Sequence, residues 1–144
     1  MPKVYAFHGN ERIGNTTANY LAVVGPETVW PGSATTTMAA VTDGLNATIS
    51  IVENQGANVH WMEPRDLSLA EMDFTVNRPH GVSSKYDDPA VVMLDGSIYR
   101  FRRDLSPATL RALLTIGGGE PVRSKSDGGW EWLADGRQRP VREP

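Results

Sequence analysis

The chain has 144 residues, a formal net charge of −3 and 40% apolar residues, with 14 Gly and 10 Pro. That length suits one domain with a real core and is short for two, and the abundance of Gly and Pro favours a loop-rich, β-rich fold over a helical bundle. Lys and Arg are scattered thinly, so there is no basic face for phosphate, and nucleic acid is excluded as a partner; the lack of cysteine removes disulfides, thiolate zinc sites and a Cys nucleophile.

Val4–Phe7 is the first strand candidate, ended by His8-Gly9-Asn10 and a polar loop. Tyr20–Val24 reads as a better strand, closed by Gly25-Pro26, and residues 25–37 read as an exposed excursion carrying Trp30. Met38–Val41 suggests one helical turn before Thr42-Asp43-Gly44. Ala47–Val52 is rich in β-branched residues and predicts a strand, with Val59–Met62 as its neighbour across the Glu53–Asn58 loop. Ser68 with Glu71 three residues on is a capping-box pattern that predicts a short helical turn. Residues 75–89 are polar and lead to the clearest local signal in the chain.

That signal is Asp95-Gly96, flanked by Ala90–Leu94 and Ile98–Phe101. An Asp-Gly between apolar runs predicts a β-hairpin with a tight primed turn, because Gly adopts positive φ freely and Asp tolerates it. A helix follows: Ser106 is a good N-cap and Pro107 fits the first helical position. Leu110, Leu113 and Leu114 make its buried stripe, Leu105 is the staple residue before the cap, and Gly117–Gly119 read as the C-cap. Arg123–Pro144 is polar apart from Trp130–Leu133, and predicts a terminal strand pair turned by Asp135-Gly136, or a loosely attached tail. The whole reads as an α+β fold with a mainly antiparallel sheet, short helical turns and one helix after the hairpin.

Catalytic signatures are sparse. His8, His60 and His80 show no metalloprotease spacing, and there is no Gly-x-Ser-x-Gly elbow. A hydrolase using His80 with Asp95 or Glu63 can be written only on paper. Asp43, Glu53, Glu63 and Asp66 lie at strand ends and turns, where calcium sites take their carboxylates; turn-forming acids fill such positions without metal as well. Trp30, Trp61, Trp130 and Trp132 are candidate glycan or protein contacts, or core.

Thr42–Ile49 with Glu53, then Trp61-Met62-Glu63-Pro64-Arg65-Asp66-Leu67, form an ordered set with Asn19–Pro26, His80, Asp95-Gly96, Thr109–Leu113 and Gly118-Gly119-Glu120. Across residues 2 to 122 the set resembles a planctomycete prepilin-type domain of unknown function named for a His…Asp-Gly motif. The resemblance implies a β-rich, pseudopilin-like head over residues 1–122, followed by a polar extension over 123–144. It implies an extracytoplasmic (periplasmic or cell-surface) structural role, with protein subunits or self-assembly as partners and no enzymatic activity or cofactor. Three features depart from the family: the N-terminal pilin helix is missing, Ala6-Phe7-His8-Gly9 replaces a Cys-Pro-Ser, and the His80-to-Asp95 spacing is longer. The chain itself has no segment near the ~20 apolar residues of a spanning helix and no apolar signal region after Met1, so no membrane contact is expected from it. The leading expectation is a non-catalytic interaction module; the alternative is a calcium- or glycan-binding extracytoplasmic head.

Overall fold

A computed structural model describes residues 16–125 and 129–132. The strand candidate at Val4–Phe7 and the turn at Asp135-Gly136 lie outside those residues. The elements in chain order are β1 (Tyr20–Leu21), β2 (Val23–Val24), β3 (Ile49–Glu53), β4 (Leu67–Ser68), β5 (Ala90–Met93), β6 (Ile98–Arg100), α1 (Pro107–Leu114), β7 (Val122–Ser124) and β8 (Trp130–Trp132). Single 3₁₀ turns occupy Met38–Ala40 and Leu45–Ala47.

The central sheet runs β1-β3-β5-β6 and is antiparallel throughout. Register fixes its two faces, because side chains alternate and directly opposed residues share a face. Leu21, Val52, Val91 and Tyr99 stand in one row and meet α1 in the core with Met93, Phe101, Leu110, Leu113 and Leu114. The stripe expected on α1 is the one buried, and the Ser106 side chain accepts the Thr109 N–H as predicted. Leu105 packs against the same core.

Long-range pairing alters several local expectations. Tyr20–Val24 is not one strand: the chain leaves the main sheet at Ala22, and β2 pairs in parallel with β4. Val59–Met62 does not pair with β3; Ala18 N–H bonds the Val59 carbonyl, Trp61 N–H bonds that of Thr16, and His60 bridges Thr17. The short turn expected after Ser68 is present, with the Ser68 carbonyl taking the Glu71 and Met72 N–H groups, but Ser68 is also the end of β4 and the side-chain bonds of a capping box are not among those formed. The strand pair after residue 121 exists, but it is β7 with β8 and its connection falls at 125–129. It is no loose tail over the described residues, since Trp130 is buried with its ring edge-on to Tyr99 at 5.4 Å between centroids.

Asp95-Gly96 does turn a hairpin, though not a two-residue primed one. Gly96 has φ +86° while Asp95 is not in the positive region. Gly96 N–H bonds Met93 carbonyl, and Met93 N–H bonds Ser97 carbonyl. The loop is therefore Leu94-Asp95-Gly96, a type I turn completed by a left-handed glycine.

Candidate functional site

Each carboxylate singled out in the sequence is already committed to holding chain. Asp43 accepts the N–H groups of Gly118 and Gly119, both at 2.9 Å, while the Thr42 N–H bonds Ile116 carbonyl at 2.8 Å. The three glycines are thus not the helix C-cap, which is Thr115. The amides of Gly118 and Gly119 are taken up by the chain's own carboxylate. Glu53 is fully buried and accepts from the Ser84 hydroxyl and from Ala90 N–H at 2.8 Å. Asp66 accepts Ala22 N–H at 2.9 Å, where the chain steps from one sheet to the other. Glu63 takes Arg65 at 2.6 Å and the His60 N–H at 3.3 Å, and these bonds hold its carboxyl below the usual range. Asp95 accepts both N–H and hydroxyl of Ser97, which lowers its pKa in the same way.

Calcium needs six to eight converging oxygens. Asp43, Glu53, Glu63 and Asp66 are spread over separate junctions, and among the described residues no group of three or more His, Asp or Glu is arranged to hold a metal ion. The four do not form one donor set.

His80 and Asp95 do not meet either. His80 belongs to a loop pinned at the C-terminal end of β3, where the Asn54 amide donates to the carbonyls of Pro79 and Gly81 at 2.8 and 2.7 Å. Asp95 lies at the opposite end of that strand, where Leu94 N–H bonds Thr48 carbonyl. Five extended residues separate them by roughly 16 Å. The exposed His80 imidazole lines a cleft of about 280 Å³ with Arg65, Asp66, Ser68 and Glu71, and among the described residues it has no hydrogen-bond partner to orient it as a base. Trp61 is half-buried, tilted against His60 at 6.4 Å between rings.

Sequence reasoning passed over two features. Asn54 is a fully buried hub, and its Oδ1 also takes the N–H groups of Gly56 and Ala57; an Asn two residues before a Gly reads simply as a turn. The second is the outer face of the main sheet. Ile51, Val92 and Ile98 form its middle row by register, opposite to the face that α1 covers. Ile98 is 70% exposed, and Tyr20 on the same face 42%. Trp30 flanks the sheet, its indole N–H fixed to Ser50 carbonyl at 2.7 Å and its ring 44% exposed. With Pro31, Thr35–Thr37, Met38 and Leu94 it lines an uncharged cleft of about 340 Å³. The alternation of Ile98 with Arg100 is visible in the sequence, but which face it meets is not.

Comparison with protein-family models, with curated proteins and with solved structures finds no match to this chain. No helix among the described residues is long and apolar enough to cross a membrane.

Proposed function

We propose that this protein is a non-catalytic interaction module, a pseudopilin-like globular head that acts outside the cytoplasm and engages protein through the outer face of its sheet. One observation carries the reading: the candidate carboxylates are consumed as acceptors at chain junctions, while the large apolar side chains of Ile98 and Tyr20 stand exposed on a sheet face that no helix among the described residues covers. Exposed apolar surface of this kind costs free energy in water and marks interaction sites. The resemblance to the prepilin-type family supports the localisation, and the residues that carry it serve here as architecture.

A photoreactive residue at position 98, introduced in the natural host, tests the surface. Adducts to protein are expected from position 98 and not from the equally exposed Met62 on another part of the molecule. Absence of adducts from position 98, or equal labelling from both, rejects the reading. Protease accessibility in spheroplasts tests the localisation; protection equal to a cytoplasmic marker rejects it.

A glycan-binding head is the second reading. It is favoured by the immobilised, part-exposed Trp30 ring beside the Thr35–Thr37 hydroxyls, since sugars stack on rigid aromatic faces. Titration calorimetry with neutral oligosaccharides on the parent and W30A decides it: heat that W30A abolishes supports a glycan site.

A further inference from the structure

We propose, independently of the sheet face, that the protein binds a phosphate-class oxyanion in a small cleft where the chain after β6 meets the β7–β8 hairpin. The cleft has a volume of about 120 Å³; Arg100, Arg102 and Asp104 line it from β6 and the chain after it, and Lys125, Gly129 and Trp130 from the hairpin. These cations are scattered in the sequence, and the fold brings them to one rim.

Trp130 is the observation that points to a ligand. It is 8% exposed, with its ring held edge-on to Tyr99. Its indole N–H is buried and has no hydrogen-bond acceptor among the described residues. Buried donors are almost always paired, and an indole N–H can only donate. Most of the lining donates too. The Arg102 guanidinium and the Lys125 ammonium have no acceptor atom. The carbonyls of Arg102 and Gly129 are already taken by the N–H groups of Leu105 and Lys125, at 3.1 and 2.7 Å. A wall of donors selects a ligand that only accepts, and an oxyanion is such a ligand.

Charge and size narrow the class. Three cations and one acid line the cleft, on a chain whose net charge is −3. Arg100 gives one amino group to the Asp88 carbonyl at 3.0 Å, so Arg102 and Lys125 carry the selection. Asp104 lies 3.4 Å from the Arg102 guanidinium, with both side chains largely exposed. An exposed ion pair of that kind holds its partners weakly, and the guanidinium fork exchanges it for phosphate oxygens, which it meets two at a time. Drug-sized ligands occupy pockets of about 300–1,000 Å³. The smaller cleft takes a single tetrahedral ion or phosphoryl group and not a nucleotide.

Titration of inorganic phosphate into isotope-labelled protein, at an ionic strength held constant with sodium chloride, tests the site through the indole N–H resonances. W130F identifies the Trp130 resonance by its absence. That resonance should move saturably, with a Kd on the order of 1 mM for an open, salt-screened site, while those of Trp30 and Trp61 stay in place. R102Q should weaken binding at least about fivefold, and D104N, which removes the one acid of the lining, should tighten it about twofold. Both positions are exposed, and near-UV circular dichroism confirms that each variant keeps its fold. A Trp130 resonance that does not move, or that moves equally with acetate, overturns the proposal. Binding unchanged in both R102Q and D104N overturns it as well. A response to O-phosphoserine that matches inorganic phosphate assigns a phosphoryl group carried on a larger molecule, and a response to inorganic phosphate alone assigns the free ion; either supports the site.

Discussion

Asp43 illustrates what a single residue does here. Its carboxylate reaches across 75 positions to Gly118 and supplies two charge-assisted acceptors to amides that would otherwise face solvent or one another. Replacing it by Ala should destabilise the protein by about 1–3 kcal/mol in urea unfolding, with the loss seen first at the end of α1. Gly96 works through the backbone instead. At φ +86° a β-branched side chain is strained whatever space surrounds it, so G96V should cost at least about 1–2 kcal/mol. A variant that melted like the parent would show that the loop can close in another way. Neither role is a chemistry that residue type announces. An Asp before a Gly is equally suited to an Asx-turn, a metal site or a hairpin, and only its partner says which.

Elements were legible where their determinants are local. The cap, proline and leucine spacing of α1 all lie within nine residues, Ser106 to Leu114, and the structure has them in place. The hairpin was legible as a hairpin, but its loop length was not. A two-residue turn at Asp95-Gly96 would set Tyr99 opposite Val92 and send it to the outer face, since a one-residue slip moves every side chain across the sheet. The three-residue loop sets Tyr99 opposite Val91, against Trp130; a contact between residues 31 positions apart therefore chose the turn. Asn54 plays the corresponding part for the loop that carries His80. Asn54→Ala removes its side-chain bonds to the 56–57 and 79–83 segments. It should speed amide hydrogen exchange at Gly56 and Ala57 while leaving α1 protected to near the global limit. Uniform acceleration across the chain would mean that the hub supports the whole fold.

For the molecule as a whole, acid is the informative perturbation. Glu63, Asp73 and Asp95 all have pKa values lowered by hydrogen bonds, from ordinary values of 4.5, 3.8 and 3.8. In the unfolded chain they bind protons at higher pH than in the folded one. Their contribution is full above the ordinary range and is lost as pH falls from about 5 through the lowered folded values. All three are exposed, so salt should blunt the effect. The melting temperature should drop through that window, and D95N should make the drop shallower; an unchanged slope would remove Asp95 from the balance. Calcium should do little. A ligand that binds only the folded state raises its melting temperature, and carboxylates already spent at separate junctions offer no site to bind it. A rise of several degrees with millimolar calcium would revive the metal reading.

The α+β class, the helix with its cap and the existence of the hairpin all follow from the sequence by itself, because each rests on spacing over a few residues. Tertiary structure alone decided that β1 and β2 part at Ala22, that Val59–Met62 joins residues 16–18 rather than β3, and that Asp43 closes on Gly118 and Gly119. It also decided which alternate residues of β5 and β6 face water. The physical reason is the same in each case: these outcomes are set by competition among distant partners for the same backbone groups and the same face of a sheet, and that competition has no signature in local spacing.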